Sequence, residues 1–439
     1  MLRYVHKKKE AILMEKKVLS VFLAGAMAVG MLAGCGSSSS GNNAADNSQA
    51  AAGSESGGAA AADSGSGESA TGSDSSGAIA LDGSWPEETV KIGVEVYDTT
   101  DTTVIAYMEY FEYLEDYFNV EFMFSESISN AEEELAFADS CASAGCVAYI
   151  GGYNASMETI VDKVTEYGMY YWGCERGLDE AYADNEYYLG GFSPVSTDSS
   201  IDASKGGDYL IGYSMATKLA DQGAKHVVYC SGGDQMGIQM FIDRLEGFKD
   251  GIAAAQANGS DIVWDEKEDS IAGWPGTDDF AAAQSNAVSK DYDAVACSFS
   301  GFEVWAQPLS DAGKTDVKIA GVGGVDGSLS DLFEQGTISM DIYECPEIVT
   351  GQAFPMIMNA VTGHADVVKG DTGYLACQIE RWVIEDADTY NAIYDFHEEG
   401  NYYVSAQDLT EILCDFTEGV TQEDINNFYL SKTMDACMN

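Results

Sequence analysis

Positive charge is scarce. Of 439 residues only 21 are Lys or Arg, against 73 Asp or Glu, and the net charge is −52. A surface of that sign repels DNA, RNA and anionic lipid headgroups, which argues against a nucleic-acid partner. Histidine is scarcer still: His6, His226, His364 and His397 are the only four, and they stand far apart. No H-E-x-x-H, P-loop or G-x-S-x-G pattern occurs, so the signatures of zinc hydrolases, nucleotide hydrolases and serine hydrolases are all missing. The ten cysteines include no C-x-x-C and no zinc spacing. The apolar run at residues 18–32 is too short to anchor stably across a bilayer.

That run is nonetheless the first thing present. It follows a basic stretch (Lys7, Lys8, Lys9, Lys16, Lys17) and ends in Leu32-Ala33-Gly34-Cys35. A positive end, a short apolar core and small residues at the cut are the layout of a secretory signal. With its cysteine straight after Leu-Ala-Gly, the stretch resembles the lipobox of bacterial lipoproteins. The resemblance implies that Cys35 is acylated on its thiol and becomes the mature N-terminus. Two or more acyl chains then hold the protein on the outer, extracytoplasmic face of the cell membrane, since one chain binds only marginally. Six Lys/Arg and two Asp/Glu precede Cys35, so cleavage takes the net charge from −52 to −56.

Residues 36–77 are almost all Ser, Gly, Ala, Asn, Asp and Glu. They cannot bury enough apolar surface to offset the entropy of ordering them, and such composition behaves as a flexible tether. Apart from Cys35, nine scattered cysteines remain, and they read as small buried hydrophobes.

From residue 90 the pattern alternates. Residues 90–96 read as a strand and 103–118 as a helix, with Val104, Tyr107, Met108, Phe111, Leu114 and Phe118 at three-and-four spacing. Strands at 120–124, 147–150, 169–172 and 187–192 interleave with helices at 129–142 and 156–167. Ser129 and Glu132 suggest a capping box for the first of these, and Gly168 a C-cap for the second. After the Ser/Asp-rich residues 193–204 the alternation restarts with a helix at 205–221, strands at 226–230, 262–264, 294–297 and 318–322, and helices at 239–255, 279–290 and 302–312. A strand at 338–342, a helix at 346–362, a strand at 374–384 and helices at 388–397, 406–416 and 422–430 complete the chain. The expected fold class is α/β: two doubly wound parallel-sheet lobes.

Two such lobes behind a lipid anchor and a tether resemble the type I solute-binding proteins of ABC transporters, in plan the ribose- and galactose-binding proteins. The resemblance covers residues 91–393. It implies a type I periplasmic-binding fold with a three-strand hinge and a ligand cleft that closes by hinge bending. It also implies a non-enzymatic monomer with no cofactor or metal, serving a transporter permease and capturing a small polar ligand, a sugar. The domain reading that follows is signal and lipobox 1–35, tether 36–85, first lobe 86–193 with 345–365 returning to it, second lobe 194–344 with 366–400, and a helical extension 401–439.

Several positions match the family's motifs. Cys174-Glu175-Arg176-Gly177 is similar to the Asp-Arg after the family's fourth strand, where carboxylate and guanidinium grip sugar hydroxyls in fixed geometry. Gly324-Val325-Asp326-Gly327 resembles Gly-Phe-Asp-Gly at a strand's C-terminal end, where α/β sheets bind ligands. Asp-Gly is also an ordinary turn pair. Tyr343-Glu344-Cys345-Pro346 resembles Gln-Gln-Pro at the third crossover, and Glu344 falls where a ligand-binding glutamine stands. Asn154 could reach the cleft after the third strand. Tyr97, Trp172, Trp274 and Trp305 stand near strand ends, where an aromatic face could pack on a sugar ring.

The departures are informative. Tyr97-Asp98-Thr99-Thr100-Asp101 stands where sugar binders often carry Asn and paired aromatics. Arg244 matches a structural arginine in an Arg-x-x-Gly-Phe helix, while Ile242 replaces its sugar-gripping neighbour. The pocket is therefore expected to be acidic, with Asp98, Glu175, Asp326 and Glu344 against Arg176, which disfavours an anionic ligand. The run Asp265-Glu266-Lys267-Glu268-Asp269 lacks the alternating loop of a calcium site and reads as a solvated acidic face. Two other functions are compatible with the chain: a ligand sensor for a membrane kinase or chemoreceptor, and a surface hydrolase using Glu175 and Asp326 as paired carboxylates.

Overall fold

The computed structural model describes residues 79–152, 157–174, 180–195 and 205–438. Cys35 and the tether lie outside them, as do Asn154, Glu175 and Arg176.

The first helix shows how sequence sets local structure. Thr102–Glu115 starts at Asp101, whose carboxylate accepts from the Thr103 and Val104 amides at 2.8 and 3.2 Å. It buries Val104, Tyr107, Phe111 and Leu114 on one side. The next helix, Ala131–Ala144, is capped by Asn130 and not by Ser129; the Ser129 amide instead donates to Glu133 at 2.8 Å.

Among the described residues, twelve strands form two six-stranded sheets. β1 (Val90–Val96), β2 (Val120–Ser127), β3 (Ala148–Gly151), β4 (Tyr170–Gly173) and β5 (Tyr188–Pro194) belong to the first. β6 (Val227–Gly232), β7 (Ser270–Ala272), β8 (Ala294–Ser300), β9 (Lys318–Gly323) and β10 (Ile338–Tyr343) belong to the second. β11 (Leu375–Ile379) then joins the first sheet and β12 (Trp382–Ile384) the second. The orders are β11-β5-β4-β3-β1-β2 and β12-β10-β9-β8-β6-β7, parallel throughout except for β12 against β10. The α/β plan of two parallel-sheet lobes is thus the observed one.

Three expectations need correction. The strand expected at 374–384 is two strands in different sheets, separated by Glu380 and Arg381. The return to the first sheet therefore runs to Ile379, past the expected 345–365, and only from Trp382 does the chain pair with the second. The strand expected at 262–264 is a single bridge between His226 and Val263, and the edge strand is β7. The expected helix 406–416 is one turn, Ala406–Leu409, with a capping box of Ser405 and Asp408. The acidic run also differs from a wholly solvated face: Asp269 is buried, accepting from Tyr292 Oη at 2.7 Å and facing His226 Nε2 at 3.0 Å. The nine cysteines in the described residues are free thiols, seven of them buried.

In the second lobe, the helices Gly206–Asp221 and Gln239–Ala257 touch backbone to backbone. A Cβ on Gly212 would lie 1.8 Å from the Arg244 carbonyl oxygen, and one on Gly247 would lie 1.9 Å from that of Tyr209. No residue larger than glycine fits at that crossing. The last residues lie against both sheets. Gln378 of β11 donates its amide to Asn426 Oδ1 at 2.9 Å, and Trp382 of β12 donates Nε1 to the Lys432 carbonyl at 3.0 Å.

Candidate functional site

The C-terminal ends of β1, β8 and β9 meet across one gap, so residues just past these strands face each other from different lobes. Asp101 follows β1, and its Oδ2 accepts from Ser300 Oγ at 2.5 Å. Thr102 Oγ1 donates to Glu303 Oε1 at 2.8 Å. Gly324, just past β9, comes so near Thr102 that an added Cβ would lie 3.1 Å from its Oγ1. Burial pushes the Asp101 carboxyl above its ordinary value, against the pull of Ser300 and two backbone amides. Glu303 keeps accessible surface, yet crowding by protein pushes its carboxyl up too, with Asp101 and Asp326 adding like charge. An acid that water can reach but that is hemmed in by protein stands inside a cleft.

The gap is floored by ions. Arg381, at the third crossover between sheets, pairs through Nη1 with Glu344 Oε1, which stands at the second crossover and not at the third as expected. Arg244 donates Nε to Asp208 Oδ1 at 3.0 Å and Nη1 to the Ser298 carbonyl at 2.6 Å, and its Nη2 stands 3.8 Å from Glu344. Arg381 Nη2 lies 3.7 Å from the same Asp208 oxygen. Two guanidiniums and two carboxylates thus form one neutral knot, and Arg244, Arg381 and Glu344 are buried. Charges taken out of water this far are stable only when paired.

Glu344 is therefore at the floor, held by Arg381. Asp326 is partly buried, and its Oδ1 accepts from the Ser328 amide at 2.7 Å, as a turn aspartate does. Asp98 is exposed and likewise holds its own turn, accepting from Thr100 N at 2.8 Å and Oγ1 at 2.7 Å. From that loop it is Asp101 that reaches the other lobe. Trp274 is partly buried past β7, edge-on to Phe241 and Phe299 at 5.1 and 5.3 Å between ring centroids. Trp172 and Trp305 are fully buried core residues. Asn154, Glu175 and Arg176 lie outside the described residues, and Asp326, Glu344 and Trp274 follow three different strands of the second sheet, β9, β10 and β7.

Sequence reading missed Asp101, Glu303, Arg381 and one further acid. Asp341 on β10 is fully buried, and neither of its carboxylate oxygens has a hydrogen-bond partner. Its signal was available: an aspartate inside a mainly apolar strand, Ile338–Tyr343, is a buried charged group that needs a reason.

No family model matches the chain, and no curated protein matches it in sequence. Solved structures do match in fold. A substrate-binding protein of a sugar ABC transport system from Bordetella parapertussis 12822 is 19% identical, with 73% of this chain and 96% of that one covered, at a TM-score of 0.52. A galactofuranose-binding protein is 14% identical over 71% and 99%, at 0.53. An ABC transporter solute-binding protein from Bacillus halodurans C-125, solved with myo-inositol, is 15% identical over 70% and 98%, at 0.51.

The fold is that of the type I periplasmic binding proteins. The three neighbours named are binding proteins, none an enzyme. In this fold the gap bounded by Asp101, Glu303 and the ion knot is the interlobe cleft. Among the described residues no helix is long and apolar enough to cross a membrane, and no group of three His, Cys, Asp or Glu could hold a metal ion.

Proposed function

We propose that this chain is an extracytoplasmic solute-binding lipoprotein of an ABC importer, which captures a small polar ligand, a sugar, in the interlobe cleft by hinge closure. The observation that carries this reading is the polar bridge across the gap, Asp101 with Ser300 and Thr102 with Glu303. Polar hydrogen bonds of this kind can part and re-form as the lobes move. The neighbours' sugar ligands support the ligand class, and the lipobox resemblance at Cys35 supports the anchor. On this reading Asn154, Glu175, Arg176, Asp326 and Trp274 complete the site above the Glu344 floor, and a permease receives the ligand-loaded, closed form.

A thermal-shift screen over sugars, amino sugars, nucleosides and amino acids tests the ligand class, because a ligand bound to the folded state raises the melting temperature by mass action. A shift of several degrees with a sugar and none with amino acids is expected; the reverse pattern overturns the sugar reading. Metabolic labelling with palmitate tests the anchor, and label that survives Cys35→Ser would rule it out.

A further inference from the structure

Asp341 poses a problem that the protein does not solve by itself. It sits on β10 opposite Gly321 of β9. Its Oδ1 lies 3.9 Å from where a Cβ on Gly323 would stand, just below the Gly323-Gly324 turn that enters the cleft. Both of its oxygens lack a hydrogen-bond partner at full burial. The charges that bear on it are those of Glu303 and Glu344, and both are negative. The two guanidiniums nearby are already engaged, Arg244 by Asp208 and Arg381 by Glu344. A desolvated acid with no partner, behind two further acids that line the gap, lacks a cation or strong donor.

We propose that the ligand brings it: the captured molecule carries a protonated amine, directed at the acids that bound the gap, Glu303 and Asp341 of the second lobe and Asp101 of the first. This rests on the solute-binding reading above and narrows it. An ammonium group offers three donors and a positive charge, which suits a wall of acids with no free cation of its own. A neutral hydroxyl supplies one donor and leaves the like charges unrelieved. Glu303, with accessible surface, meets the amine first; Asp341 stands behind it with both carboxyl oxygens still unpartnered. An amino sugar meets both demands, its hydroxyls serving the rest of the cleft.

The test is calorimetric titration of the full chain in detergent at pH 6.5. The probes are matched sets: glucose, glucosamine and N-acetylglucosamine, and galactose, galactosamine and N-acetylgalactosamine, with ribose added. The amine is expected to bind at least tenfold more tightly than both the hydroxyl and the N-acetyl partner in one set. Asp341→Asn and, separately, Glu303→Gln should bring the affinities within that set together. The comparison among wild-type titrations stands even if a variant does not fold. A neutral sugar that binds as tightly as its amine overturns the inference and leaves the sugar-binding reading standing. Binding of none of the seven removes that reading and the inference with it.

Discussion

Arg381 and Glu344 lie 37 residues apart and meet as a buried ion pair where two crossovers between the sheets run side by side. With Asp208 and Arg244 they make the pivot of the two lobes a charged knot. Removing one partner strands a buried charge, which costs about 3–5 kcal/mol in comparable cases. Arg381→Met and Glu344→Gln should each lose stability on that scale in urea titrations, and the double variant should lose much less than the sum. Additive losses would mean that the pair carries no coupling.

The bridge across the gap gives a second expectation. Ser300→Ala with Thr102→Val removes both interlobe hydrogen bonds, each contributing about 1 kcal/mol. The open form should gain population roughly tenfold or more, at about 1.4 kcal/mol per factor of ten. Small-angle scattering without ligand should show a larger radius of gyration for the double variant. An unchanged radius would show that other contacts hold the lobes together.

Acidity gives a third. Burial raises the carboxyl pKa of Asp101, Glu303 and Asp341 in the folded protein. Such groups bind more protons folded than unfolded, so stability falls as pH rises. The contribution is complete below about pH 4, the unfolded carboxylate value, and is lost as pH climbs through the raised values. The melting temperature should be higher at pH 5 than at pH 8 at fixed ionic strength, and Asp341→Asn should flatten that slope. A melting temperature that climbs with pH would contradict the assignment.

The glycine crossing gives a fourth. Gly247→Ala sets a methyl group 1.9 Å from a backbone oxygen, so the two helices must separate and carry Arg244 with them. Overpacking of this kind costs about 1–3 kcal/mol, and displacing Arg244 from Asp208 adds to it. Urea titration should show a loss at or above the upper end; a loss under about 0.5 kcal/mol, the scale of an ordinary surface substitution, would mean that the helices part freely.

Local periodicity made most of this fold readable. The stripe of Val104, Tyr107, Phe111 and Leu114 marks its helix, and the repeated β-α alternation marks both parallel sheets. What escaped depended on partners distant in sequence. The apolar run at 374–384 reads as one strand because both halves are buried in sheets, and only Glu380-Arg381 marks the change of lobe. β7 has three residues, too few for any period to register. Arg381 has no local signal, since nothing near it in sequence reveals that Glu344 stands beside it. Asp101 was passed over for Asp98 because both are loop acids after one strand, and only the approach of the second lobe tells them apart.

The helix Gln422–Leu430 has a mechanical consequence. Asn426 in this helix grips β11, and Lys432, just past it, grips β12, so residues 426–432 span Glu380-Arg381 as a splint spans a joint. Flexing that joint means snapping one of two hydrogen bonds or buckling the rod. On the proposed hinge-closure reading, the jaws turn on a stiffened heel, and most of their travel falls at the toe, where Asp101 meets Ser300.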